Sequence, residues 1–243
     1  MPHVVRVVSG LGNRLLALAT AVSQLGADTL IVWTPQLNHC ECMFSDILQA
    51  PALRVAPVMP CHDAPMCLYA ASPAELPVAF TSCTQFLRTT PANLSRALHR
   101  YVRPSAAVRE MLDAACRRYP PSQCIGLHVR RGDKRAQAES AQPLSTVLAF
   151  VQGHRHLARV VVVATDDDVV FAELRQRLNG LRVVRLVSDT SRSNMAGAAL
   201  DMFFLAQCRF FFGCKASTFS RVIRLLRTGH SRPARLRIRT RAP

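Results

Sequence analysis

Four times between residues 124 and 226 a short aliphatic run gives way to a segment with helical spacing. Cys124–Val129, Val160–Ala164, Leu181–Val187 and Arg209–Phe212 predict strands. Leu144–Gln152, Val169–Leu178, Asn194–Cys208 and Ser217–Leu226 predict the helices that follow them. Val161-Val162-Val163 is too uniformly apolar and β-branched for a strand with one wet face. Regular strand–helix alternation implies a parallel sheet covered on both sides, an α/β fold.

The N-terminal third repeats the pattern once. Val4–Val8 and Thr29–Trp33 predict strands around a helix from Leu15 to Leu25, stopped at Gly26. Prolines at 35, 51, 57, 60, 65, 73, 77 and 91 break residues 34–100 into short pieces, with a short helix at Phe44–Leu48. A helix over 105–117 follows Pro104, and Tyr119-Pro120-Pro121 marks a boundary. The expected division is 1–118, 119–230 and a basic tail at 231–243. With 49% hydrophobic residues the chain can bury a sizeable core.

The net charge is +16, which first suggests a nucleic-acid or anionic-surface binder. Lys134 and Lys215 are the only lysines, however, and the excess of arginine beside alanine, valine and proline reads first as compositional bias. No zinc-finger or RNP-type motif accompanies the charge. The tail from His230 to Arg241 reads first as a solvated end. No apolar run approaches a bilayer span and the first residues predict a strand. The chain as given therefore reads as soluble or cytoplasmic, and a fragment of an anchored protein stays open. Nine cysteines without a signal segment argue against a full disulfide framework. His39-Cys40-x-Cys42 with Cys61-His62 has the residue types of a zinc site but no standard ligand spacing, so idle thiols are the default.

Ligands of open parallel sheets bind beyond the carboxyl ends of the strands. Those ends carry Arg130-Arg131-Gly132-Asp133-Lys134, then Thr165-Asp166-Asp167-Asp168, then Gly213 through Ser220. Arginine forks match phosphate, a glycine lets backbone approach it, and the turn at Ser217–Ser220 opens a helix whose free N–H groups suit an anion. Each stretch also has a plainer explanation: a solvated turn, a dipole-matched helix start, an N-cap. Their coincidence on one edge favours a phosphate site. Gly10-x-Gly12 is not a dinucleotide fingerprint, because Leu15 stands where its third glycine belongs and no acid closes the second strand.

With these residues assembled, the chain resembles the superfamily of α1,2-, α1,6- and protein O-fucosyltransferases. The resemblance rests on Gly10-Leu11-Gly12-Asn13-Arg14-Leu15, His128 through Lys134, Ala164-Thr165-Asp166-Asp167, and Asp201 through Phe219-Ser220. It implies a GT-B-like fold of two Rossmann-like halves, the first reduced. It implies a donor, GDP-fucose, a glycan or protein acceptor, inversion at the anomeric carbon, and no cofactor or metal. Arg130 would hold the β-phosphate. His128 and Asp201 would contact the guanine, and Ser217 a phosphate oxygen, within the turn that includes Thr218, Phe219 and Ser220. Asp166 and Asp167 would orient donor groups or loops, and Asp133 and Lys134 would shape the catalytic loop. Gly12, Asn13 and Arg14 would line the cleft. The expected base falls at Ala138, leaving Glu139 beside it or the donor phosphate. Other readings remain: an inactive GDP-sugar-binding module, a nucleic-acid binder, and a metal-dependent transferase using Asp166–Asp168.

Overall fold

A computed structural model describes residues 3–36, 40–56, 65–67, 70, 72–130, 143–187 and 194–228. Arg131, Gly132, Asp133, Lys134, Ala138, Glu139, His39, Cys61, His62 and the tail lie outside the described residues.

The first sheet uses β1 (Val4–Val7), β2 (Leu30–Trp33), β4 (Arg54–Ala56) and β5 (Ala79–Ser82), all parallel, in the order β4-β2-β1-β5. A two-stranded ribbon pairs β3 (Leu48–Gln49) with β6 (Arg103–Pro104). The second sheet uses β7 (Cys124–Val129), β8 (Val160–Thr165), β9 (Arg182–Val184) and β10 (Phe210–Gly213), again parallel, in the order β10-β7-β8-β9. In both sheets the earliest strand lies inside, flanked by a neighbour on each side, so β1 and β7 are the points where a crevice opens.

The helices are α1 (Leu11–Gln24), α2 (Phe44–Ile47), α3 (Pro91–Tyr101), α4 (Ala106–Arg118), α5 (Leu144–His154), α6 (Asp168–Arg177), α7 (Met195–Gln207) and α8 (Thr218–Thr228). Among the described residues none is long and apolar enough to cross a membrane. α1 packs on α3 and α8, α7 on α4 and α8, and α3 on α8. One apolar cluster accordingly runs through both halves, from Val5, Trp33 and Phe80 to Val162, Phe204 and Ile223. Each buried side chain of this size contributes about 1.5–3 kcal/mol. The strict period of two along β7 divides the second sheet. Ile125, Leu127 and Val129 face a separate core beneath α5 and α6. Cys124, Gly126 and His128 alternate with them, on the face toward α7 and α8.

Arginines secure α8. Arg224 donates to the carbonyls of Gly213 and Cys214 at 3.2 and 3.0 Å. Arg227 donates to the carbonyls of Leu205, Ala206 and Cys208, closing the C-terminal end of α7. Part of the arginine excess is thus spent on backbone acceptors inside the fold.

Candidate functional site

The turn between β1 and α1 is built on a strained residue. Ser9 has φ of +73°, and among the described residues it is the non-glycine one in that region. Such a conformation persists only where surroundings hold it. Gln36 Oε1 accepts the Ser9 N–H at 2.7 Å, Arg14 Nε donates to the Ser9 carbonyl at 2.7 Å, and Asn13 Nδ2 donates to Ser9 Oγ at 2.9 Å. Arg14 is 0% exposed and bonds the Thr34 carbonyl and Gln36 Oε1 at 2.9 and 3.0 Å, with its guanidinium 4.8 Å from the Trp33 ring centre. It therefore braces the wall of the site from inside, while Gly12 and Asn13 form the first turn of α1.

That first turn contains no acidic residue, and Gly10 provides no side-chain cap. It packs closely against the start of α8: a Cβ on Gly12 would lie 2.5 Å from the Phe219 nitrogen and 2.8 Å from its Cα. Only glycine permits this approach. α8 also lacks an acid in its first turn. Two positive helix ends thus lie side by side, with electrostatics that suit an anion.

β7 and β10 complete the edge. His128, near the end of β7, lies 2.6 Å through Nδ1 from Ser220 Oγ and stacks beside Phe219 with ring centres 4.8 Å apart. Burial lowers its pKa to about 4, helped by the neighbouring Arg130 and Arg224 cations and opposed by Asp166. His128 is consequently neutral at pH 7 and acts as a hydrogen-bonding and packing group. Arg130 stands directly after β7, half-buried, where its charge is felt at His128. Ser217 is buried and its Oγ lies 3.5 Å from the Ser220 N–H, at the start of α8. Thr218 and Phe219 are half-buried beside it and Ser220 is sealed.

The three aspartates after β8 divide their work. Asp167 Oδ1 caps α6, accepting from the amides of Val169 and Val170 at 2.9 and 3.2 Å. Asp168 pairs with Arg185. Asp166 is exposed and close enough to His128 to favour its protonation.

Asp201 belongs to a second group. Its helix, α7, is buried on nearly every face, so Asp201 is not on a solvent face. Burial pushes its pKa up to about 7 against the opposing pull of Arg185, and its Oδ1 is sealed without a hydrogen-bond partner among the described residues. Arg185, just beyond β9, contacts the Asp167 carbonyl and lies 4.2 Å over the Phe171 ring. Ser9, Gln36 and Arg185 were absent from the sequence-derived set. Arg185 falls under the strand-end rule as soon as β9 is ended at Val184. Nothing in the local pattern distinguishes Ser9 or Gln36.

Among the described residues, no group of three or more His, Cys, Asp or Glu is placed to hold a metal ion. A cavity of 520 Å³ lined by Ser95, Arg96, His99, Arg100 and Thr228 lies elsewhere, at the opposite end of α8.

No protein-family model matches this sequence, and neither does any curated protein. Solved structures do. The fucosyltransferase NodZ from Bradyrhizobium superposes with a TM-score of 0.65 at 18% identity, covering 93% of this chain and 94% of its own. NodZ α1,6-fucosyltransferase soaked with GDP-fucose gives 0.64 at 19%, covering 93% of both chains. POFUT1 in complex with GDP-fucose gives 0.63 at 13%, covering 93% and 94%. The chain has the GT-B fold. At these identities the likeness is one of architecture.

Proposed function

We propose that this protein is an inverting, metal-independent glycosyltransferase that moves fucose from GDP-fucose to a glycan or protein acceptor. The observation that carries the proposal is the meeting of two acid-free helix ends at Gly12 and Phe219, beside Arg130. The GDP-fucose bound to neighbours of the same fold supports the choice of donor.

In this reading the diphosphate lies across the starts of α1 and α8, against Ser217 and Arg130. As the bond to the anomeric carbon breaks, GDP gains negative charge. Fixed N–H groups and a guanidinium aimed at that oxygen stabilise the transition state more than the bound donor. They supply the positive charge for which other transferases use a divalent ion. Asp201 takes the guanine edge. Its Oδ1, which has no partner among the described residues, can accept N–H donors, and binding them would favour the ionised carboxylate. His128 reaches the base through the packing it shares with Phe219. The acceptor hydroxyl attacks from the face opposite GDP, losing its proton to Glu139 or to the donor phosphate. Residues 1–118 form the acceptor side and 119–230 the nucleotide side.

The test is GDP release from GDP-fucose over a panel of glycan and peptide acceptors, with Arg130→Ala as control. Acceptor-dependent release that the variant loses supports the proposal. GDP binding with no turnover on any acceptor would instead mark a binding module.

A further inference from the structure

We propose that Cys40 and Cys42 form a dithiol modification site, which a small disulfide closes to an intrachain disulfide and which thereby loosens the turn carrying the start of α1. The chemistry is independent of the donor. The effect on ligand binding rests on the function proposed above.

The two sulfurs lie 3.8 Å apart. Cys40 is sealed and Cys42 half-buried, so one thiol can be reached and the other waits behind it. Both lie close enough to the Arg14 guanidinium to interact with its charge. That cation is fully buried and its three hydrogen-bond acceptors, two carbonyls and an amide oxygen, are all uncharged. Its remaining terminal nitrogen, Nη1, has no partner among the described residues. A buried cation short of negative charge favours a thiolate beside it. The Cys42 hydrogen bond, with help from Arg14, lowers the Cys40 thiol's pKa against burial, while Cys42's own is raised, chiefly by the same hydrogen bond. The pair thus shares one readily lost proton. Cys124 and Cys208 are also neighbours, but both are sealed from solvent, so no small disulfide reaches them.

The exchange balances without a metal. Cys42, the accessible thiol, gives its proton to the Cys40 thiolate 3.8 Å away and attacks one sulfur of R–S–S–R, expelling one R–S⁻ that takes the proton on from Cys40 and giving a mixed disulfide. The Cys40 thiolate then attacks the Cys42 sulfur and expels the second R–S⁻. Two electrons pass from the cysteine thiols to the reagent, and their two protons end on two molecules of R–SH.

Closure draws the sulfurs from 3.8 Å to about 2.05 Å and removes the charge facing Arg14. Cys40 is locked to Gln36 by reciprocal backbone bonds of 2.8 and 3.0 Å. Gln36 Oε1 in turn holds both the Ser9 N–H and Arg14. Gln36 therefore links Cys40 to the strained turn that opens α1.

The full chain is treated with glutathione disulfide, alkylated, digested and mapped by mass. The peptide containing residues 40–42 should lose about 2 Da and resist alkylation until dithiothreitol is added. Cys40→Ser should stop at one glutathione adduct on Cys42, and Cys42→Ser should leave Cys40 reduced. Two alkylatable thiols in the treated wild type would overturn the dithiol site. GDP affinity, measured by calorimetry on reduced and oxidised protein, should fall at least about fivefold on oxidation and return with dithiothreitol. An unchanged affinity in an oxidised, GDP-binding protein would overturn the coupling to the turn. If the reduced protein binds no GDP, the donor reading fails, while the mass map still decides the dithiol.

Discussion

The edge beyond β8 and the edge beyond β1 and β10 look alike on paper, since each strand runs into a helix. They differ in where the negative charge comes from. After β8, Asp167 caps α6 with its own carboxylate and Asp168 joins Arg185, so the helix end is satisfied within the chain. After β1 and β10, no acid lies in the first turn of either helix, and Gly12 brings those two ends into backbone contact. A helix that supplies its own anion has little to offer a ligand. Two that supply none, brought together by a glycine and a strained serine, are where the proposed function puts the diphosphate.

The largest effect that can break this contrast is at Arg130. Arg130→Ala should lower kcat/KM for GDP-fucose by about 10²–10³-fold, the usual cost of losing a donor to developing charge, with the melting temperature unchanged. A loss confined to KM would move Arg130 from the transition state to ground-state binding.

Gly12→Val comes next. Its side chain has no room against the Phe219 backbone, so the helix ends must separate. Stability should fall by about 1–3 kcal/mol and GDP affinity by more than about tenfold. Calorimetric affinity at wild-type strength in the folded variant would separate the two ends from the site.

Asp201 supplies a pH test. Its pKa in the fold is about 7, above the ordinary 3.8, so the neutral form is favoured. This contributes stability that is complete below pH 3.8 and lost as pH rises through 7. In the proposed site the guanine edge is held by the carboxylate form. GDP binding should therefore release a proton and weaken up to about tenfold for each pH unit below 7. Asp201→Asn should bind more weakly and with no such slope. A wild-type binding enthalpy independent of buffer ionisation would contradict this role.

The smallest effect belongs to the self-satisfied edge. Asp167→Ala should cost about 1 kcal/mol, a loss of a few degrees in melting temperature, and leave GDP affinity within about twofold. A large loss of affinity would erase the contrast.

The second sheet was legible because buried parallel strands announce themselves. Cys124–Val129 was placed to the residue, and the strand-end rule then gathered Arg130 and Ser217 on one edge, while His128 came with the family resemblance. The first half was less so. β5 and α3 lie in the proline-broken stretch read as irregular, although Thr90 caps α3 and Pro91 opens it. α1 begins at Leu11, four residues before the expected Leu15, because an end without a side-chain cap gives no local signal. That missing cap is itself part of the site. The buried position of Arg14 was equally hidden: its partners at Thr34 and Gln36 are twenty or more residues away. Charge density could not tell a ligand-facing arginine from Arg224 or Arg227, which hold carbonyls of their own fold.

Calorimetric titration of the wild-type protein with GDP, UDP and ADP at pH 8 tests the central claim most directly. The account predicts saturable GDP binding, with UDP and ADP at least about tenfold weaker because neither base presents guanine's paired N–H donors to Asp201. Absence of GDP binding, or equal affinity for all three, would contradict it.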